Sequence, residues 1–368
     1  MEKFCVLFSK ELKEYDFGEG HPLSQRRGEE FLIFLKEKIK KDFPVLNAKE
    51  VSDKDLELIC DKDYIDFTKN FFSSSHLGKK YNGRFFKYQS RDNFPGKNPG
   101  NVERGARFII GQAKLAGDLI SQKKFKKVIS LGGGLHHAKR NFGEGFCIYN
   151  DVAFCAKYLK EKNGFKKILI LDTDAHAGNG TMEYFYEDER VLFIDIHQDP
   201  ATLYPGTGFL WQIGKGRGRG FTVNLPLAPF SGDESYELLF EKIVNPLVEE
   251  FEPELIIRNG GGDPHFADPL TQLGMTVKGF KMVGEKVRRL ADISEGRLID
   301  LVVSGYNQEV LHWSWLGIIS GIIGENLKLK DIPFPPDLEE KRKSAFFQAK
   351  ELVKRASEIL SPFWRCFR

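Results

Sequence analysis

The sequence predicts an α/β protein built as one large domain, a mostly parallel central sheet flanked by helices. Three observations carry this. Five short apolar runs, "KKVISLGGG", "KKILILDTD", "RVLFIDIHQ", "PELIIRNGGGD" and "LIDLVVSGYN", each end in glycine or polar residues. Helix-like segments such as "YNDVAFCAKYLKEKNG" and "SYELLFEKIVNPLVEEF" lie between several of them, the alternation that builds parallel sheets. Hydrophobic residues make up 41% of 368, with 32 phenylalanines, enough for a large core and against extensive disorder.

Taken in order, residues 28 to 41, "GEEFLIFLKEKIKK", predict an amphipathic helix and "DKDLELICDKDYIDFTKNFF" a second. From about 73 to 100 the chain is rich in Gly, Ser, Asn and Pro without a period, which predicts a long loop of the kind that borders a binding site. "VERGARFIIGQAKLAGDLI" resumes a helical pattern, and the β/α alternation follows. After "IPFPPD", Asp337 and Glu340 mark a helix start. Ala345, Phe346, Ala349, Leu352, Val353, Ala356, Ile359 and Leu360 then recur at helical spacing over about 338 to 360. That helix is expected to pack on the domain, and the ending "SPFWRCFR" to dock as a tail.

Fifty-five basic against 52 acidic residues leave a net charge of +3, which gives no general electrostatic case for nucleic acid. Cys5, Cys60, Cys147, Cys155 and Cys366 are odd in number and lack CxxC spacing, so a reducing compartment is expected. The first residues carry Lys and Glu and do not resemble a signal peptide, and no apolar run approaches the roughly 18 residues of a membrane helix. The expectation is a cytoplasmic protein without membrane contact.

In parallel sheets ligands bind beyond the carboxyl ends of the strands, where this chain places its reactive residues. "LGGGLHHAKR" delivers His136 and His137, "LDTDAHAGNG" Asp172, Asp174 and His176, "RNGGGDPHF" Asp263, and "VVSGYN" Tyr306. In an extended chain residues two apart share one side, so Asp172, Asp174 and His176 are expected to converge. A metal that activates water needs about three protein ligands and an open position, and Asp174, His176 and Asp263 meet that count. One histidine and two carboxylates suit zinc, and iron or cobalt accept such a set. His136 and His137 supply a general base and acid, and a Tyr306 hydroxyl a donor to a developing oxyanion. These parts describe metal-assisted amide hydrolysis. His21, His76, His197, His265 and His312 are expected to be structural, with His265 nearest the site because it follows Asp263 by two. The "GGG" at 132 to 134 is not a dinucleotide loop, because His137 stands where the third glycine belongs.

The order "YDFGEGHPLSQRR", "GGGLHHAKRNFGEGFCIYND", "DTDAHAGNGTMEYFY", "LYPGTG", "GGGDPHFADPLTQLGMT" and "SGYN" resembles the zinc-dependent histone deacetylase family. That family includes acetoin-utilisation-type deacetylases and acetylpolyamine amidohydrolases. The resemblance spans about residues 15 to 325 and implies an arginase-like α/β fold. It implies zinc on Asp174, His176 and Asp263, the histidine pair at His136 and His137, and the catalytic tyrosine at Tyr306. Asp172 is implied behind His136 and Asn179 behind His137; an amide supports an imidazolium less than a carboxylate does, so His137 is expected to be the more acidic partner and the proton donor. The substrate slot is implied at Gly145, Phe146, Tyr204 and Leu270, suited to acetyl-lysine or another acylated small amine. Asp92 or Asn93 matches the rim aspartate that holds the substrate backbone. A structural potassium ion is implied beside Asp172, Asp174 and His176.

The chain departs from the family at several of these positions. Asn179 replaces the aspartate of many eukaryotic members, and Leu270 stands where polyamine-directed relatives have an acidic gate. "VVSGYN" replaces a glycine run, so the Tyr306 loop is open to a different course. Asp195 replaces a usual serine; this extra carboxylate is expected to strengthen the potassium site or to recruit Arg or Lys. An arginase-type binuclear manganese hydrolase and a non-catalytic acyl-lysine reader are the other readings. The first lacks further bridging ligands, and the second has no need of an acid-base set.

Overall fold

Among the described residues, runs of β-branched and leucine residues form eight strands: β1 Phe4–Leu7, β2 Val45–Leu46, β3 Lys127–Leu131, β4 Ile168–Asp172, β5 Val191–Gln198, β6 Thr222–Leu227, β7 Leu255–Gly260 and β8 Leu298–Val302. These come from a computed structural model that describes residues 4–23, 26–73 and 82–368. The strands join one sheet in the order β2-β1-β3-β8-β7-β4-β5-β6, with every pairing parallel. Both faces are buried, so β4 reads as a continuous apolar run: Ile168 and Ile170 enter one core, Leu169 and Leu171 the other. The first core is closed by helices including Val102–Ser121 and Asp151–Lys162, the second by Val277–Ile293 and Leu338–Leu360.

The five predicted strands are β3, β4, β5, β7 and β8. The others escaped the pattern for local reasons. β1 and β2 are four and two residues long, and β6, "TVNLPL", carries Pro226, which an edge strand tolerates. The first predicted helix covers Arg26–Lys38 rather than 28 to 41. The second divides into Asp53–Leu56 and Lys62–Phe72, because Ser52 and Asp61 both occupy cap positions and restart the chain. The loop from 73 to 100 is less irregular than expected. It holds the turns Asn82–Arg84, Phe85–Tyr88 and Arg91–Asn93, with Phe85 packed on Phe71 and Phe94; residues 74–81, with His76, lie outside the described residues.

The last helix is Leu338–Leu360, and Ala345, Ala349, Leu352, Ala356 and Leu360 are its buried stripe. Asp337 precedes it but makes no side-chain cap bond. The tail docks: Trp364 is buried against Phe221 and Phe251, and its Nε1 donates to Gly220 O at 2.8 Å. Among the described residues no helix is long and apolar enough to cross a membrane.

Candidate active site

The four central strands, β3, β8, β7 and β4, are neighbours, so their carboxyl ends open onto one place although they are far apart in sequence. Asp172 stands level with Asp195 on β5 and Asn259 on β7. β4 ends at Asp172, and residues 174–176 form a bend rather than extended chain. Convergence therefore comes from turns and not from the pleat. Asp174 N donates to Asp172 Oδ1 at 3.1 Å and His176 N to Asp174 Oδ1 at 2.9 Å, two successive Asx turns that curl the ligands inward.

Asp174, His176 and Asp263 each offer a ligand atom within 4.8 Å of the others; Asp172 is not in this group. His176 Nδ1 lies 3.1 Å from Asp174 Oδ1 and 3.0 Å from Asp263 Oδ2. The second oxygen of Asp263 is taken by Ser304 Oγ at 2.7 Å and Ala175 N at 3.3 Å, which leaves Oδ2 turned toward His176. Among the described residues no lysine or arginine pairs with either carboxylate. Burial and the neighbouring Asp174 charge push the Asp263 carboxyl up, so the place calls for a cation. The donor set fits a divalent metal: two hard oxygens and one imidazole, largely buried and preformed.

His136 and His137 are buried beside it, with their Nε2 atoms 3.1 Å apart. His136 Nδ1 faces Asp172 Oδ2 at 2.8 Å, and Asn259 Nδ2 donates to the same oxygen at 2.9 Å. His137 Nδ1 faces Asn179 Oδ1 at 2.7 Å; Asn179 Nδ2 donates to Glu144 at 2.8 Å, which fixes which way the amide points. Burial disfavours charge on both rings. At His136 the carboxylates of Asp172 and Asp174 outweigh it and lift the ring to about 9, whereas His137 falls well below 6.5 through burial and the charges on His136 and His176. The loop carrying both is held by the start of helix Asp151–Lys162. Asp151 accepts from Gly134 N at 2.8 Å and Leu135 N at 2.7 Å, and Asn150 Nδ2 donates to His136 O at 3.1 Å.

Tyr306 shares a cavity of about 680 Å³ with His137 and His176, so the altered loop "VVSGYN" still brings it to the site. Its backbone N donates to Asp268 Oδ2 at 2.7 Å, and Arg27 Nη1 donates to Gly305 O at 2.7 Å from behind. Burial, then Asp263, raises the Tyr306 hydroxyl well above its ordinary range, so it stays protonated as a donor. Gly145, Phe146, Tyr204 and Leu270 line the same cavity, with Arg91, Asp92 and Leu203. Gly145 and Phe146 both adopt positive φ, 60° and 63°, and a Cβ on Gly145 would lie 2.2 Å from the His137 ring. Strain of this kind sets Phe146 against the opening, 6.3 Å from Tyr306 by ring centroids.

Asp92 is at the mouth and accepts from Gly145 N at 2.6 Å, while Asn93 is buried and bonded to Gln89 and Cys147. Among the described residues Asp195 recruits neither Arg nor Lys: its carboxylate lies 2.9 Å from His197 Nδ1, two residues along the same strand face, and accepts from Gly178 N at 2.8 Å. His265 does not approach the site, because its Nε2 faces Asp331 Oδ1 at 2.9 Å. His21 packs behind Phe146 at 4.5 Å, and His312 sits on Phe31 and Phe34. Asn259, Ser304, Asp268, Asp151 and Glu144 support the site without having been singled out in the sequence. Asn259 carried a signal, as the polar residue just before "GGGD".

The histone deacetylase domain profile matches residues 21–322. A protein of Archaeoglobus fulgidus named "Probable deacetylase" is 43% identical over 241 residues, which are 63% of this chain and 66% of that protein. The acetoin utilization protein AcuC of Staphylococcus aureus (strain MRSA252) is 33% identical over 367 residues, 99% of this chain and 92% of that one. The crystal structure of the HDA15 HD domain superposes with a TM-score of 0.82 at 24% identity over 100% of this chain and 97% of that chain, a likeness of fold.

Proposed function

The chain belongs to the histone deacetylase family, and on that premise we propose that it is a zinc-dependent deacylase that hydrolyses the amide of acetyl-lysine or a related acylated amine. The observation that carries this reading is one apolar-walled cavity reaching His137, His176 and Tyr306 together. Asp174, His176 and Asp263 would hold the zinc, with iron or cobalt acceptable to the same donors; when bound, such an ion supplies Lewis acidity to an acyl carbonyl and to water.

The chain's own residues divide the remaining work. Tyr306 donates its hydroxyl hydrogen to the carbonyl oxygen as negative charge develops there. The proton between the two Nε2 atoms rests on His136, whose Nδ1–H faces Asp172, so His137 is neutral with its Nδ1–H toward Asn179. His137 takes the proton of the attacking water on Nε2 as the C–O bond forms, while His136 keeps its own. His137, the stronger acid once protonated, returns it to the amine nitrogen as the C–N bond breaks, and carboxylate and amine leave. Phe146, Tyr204 and Leu270 hold the alkyl chain and exclude water, and Asp92 is placed to accept a backbone N–H.

A structural potassium ion beside Asp172, Asp174 and His176 belongs to the same reading; the Asp195 carboxylate near it already has His197 as its neighbour. The five free cysteines support a cytoplasmic setting. The alternative substrate, an acetylpolyamine or other small amide, gains from Asp92 at the mouth and loses from the apolar Leu270. A binuclear hydrolase is disfavoured because Asp172 and Asp268 already accept local donors.

Purified, zinc-loaded protein is expected to release acetate from acetyl-lysine peptides. Tyr306→Phe lowers kcat by about 10²- to 10³-fold, the worth of one oxyanion donor, with metal content unchanged. Asp174→Ala loses the metal. Metal loss in Tyr306→Phe but not in Asp174→Ala would overturn the assignment.

A further inference from the structure

Two charged side chains besides the site histidines line the cavity, Arg91 and Asp92, and they stand differently. Asp92 is already engaged, accepting from Gly145 N at 2.6 Å and from the Ser90 hydroxyl. Arg91 is exposed, and its guanidinium makes no hydrogen bond or ion pair with any described residue. The backbone beneath it is nonetheless fixed. Ser90 N donates to Gly143 O at 2.9 Å, Phe94 N to Arg91 O at 3.0 Å, and Asn93 Nδ2 to Cys147 O at 3.1 Å, which ties the turn Arg91–Asn93 to the segment that carries Phe146. A planar five-donor fork thus stands on a fixed backbone at the mouth of an apolar slot, without a partner among the described residues, beside a carboxylate that already accepts one backbone N–H. The geometry points to Arg91 as a carboxylate-binding residue, selecting acylated lysines whose α-carboxylate is free. This rests on the deacylase reading and names the substrate class of that site.

The chemistry follows from where charge sits on such a substrate. An acyl-lysine that fills the slot with its side chain brings its α-carbon to the opening, where the α-carboxylate and α-nitrogen emerge together. Guanidinium pairs with carboxylate through two parallel N–H bonds, and Asp92 answers the nitrogen. A polyamine would present only positive charge and would meet Arg91 unfavourably. Two sources share the chemistry, a peptide ending in acetyl-lysine and the free amino acid Nε-acetyl-lysine.

The test compares one peptide ending in Nε-acetyl-lysine, as the free acid and as the C-terminal amide, together with free Nε-acetyl-lysine, on the metal-loaded full chain. The acid is expected to exceed the amide in kcat/KM by about three- to fivefold, the size of a partly solvated ion pair, with the difference in KM. That preference shrinks with added salt, because the pair is screened. Arg91→Ala brings the ratio to about one, Arg91→Lys keeps part of it as a point charge, and Arg91→Glu inverts it. Equal turnover of acid and amide by the unaltered protein, or a preference that survives in Arg91→Ala, overturns the proposal. Turnover of neither overturns the deacylase reading beneath it. Turnover of free Nε-acetyl-lysine at the rate of the peptide acid supports the small-molecule source, and turnover of the peptide acid alone supports a protein C-terminus.

Discussion

His136 and His137 are identical side chains at adjacent positions, and the fold separates their proton affinities. A carboxylate behind one and an amide behind the other make the difference, so in the proposed mechanism His136 keeps its proton while His137 takes one up and gives it away. The same logic reaches Tyr306 through Asp268, whose carboxyl burial pushes up to about 6 although Leu270 N and Tyr306 N bond to it. A carboxyl raised on folding favours the protonated native state, so its stabilisation is full below about 4 and is lost as pH rises through about 6. The ionised form is the better acceptor for both N–H groups. Turnover should therefore climb between about pH 5 and 7, while Asp268→Asn flattens that limb and costs about ten- to hundredfold in kcat/KM through a displaced Tyr306. A pH profile identical in the variant contradicts this. The histidine pair and two of the metal ligands, Asp174 and His176, were legible because each pair lies in one short stretch, and Asp263 because it follows an apolar run of its own. Asn259, Ser304 and Asp268 were not, since each acts on a residue from another strand end, and only the strand order makes them neighbours.

The segments that carry the site are turns pinned by longer elements. The loop from β3 to His136 is held through Gly134, which has φ +128° and where a Cβ would lie 2.4 Å from Asn259 Oδ1 and 2.9 Å from Val303 Cγ1. Gly134→Ala is expected to cost about 1–3 kcal/mol, read as a lower thermal midpoint, and to cut turnover because Asn259 steadies Asp172. An unchanged midpoint and rate would show that the loop is free to shift. The strands that bear ligands could be read from their apolar runs, since burial on both faces leaves a strong signal. The turn Arg91–Asn93 could not, because its conformation depends on bonds to Gly143 and Cys147 some fifty residues away.

Across the whole molecule, the sheet order places β8 and β7 between β3 and β4, which joins four strand ends into one floor. Alternating β and α elements announced a parallel sheet, but nothing local announces which strand inserts between which. The C-terminal tail serves the scaffold and not the chemistry. Trp364→Ala should destabilise by about 3–5 kcal/mol, with kcat per folded molecule and metal content unchanged; a loss of metal at full stability would contradict that separation. In the proposed reaction one metal on Asp174, His176 and Asp263 drives amide hydrolysis. The most direct measurement strips the protein with a chelator and titrates zinc back while acetate release from an acetyl-lysine peptide is followed. No release is expected from the stripped protein, and full recovery is expected at one zinc per chain. Release that survives stripping, or that needs two metals per chain, would contradict it.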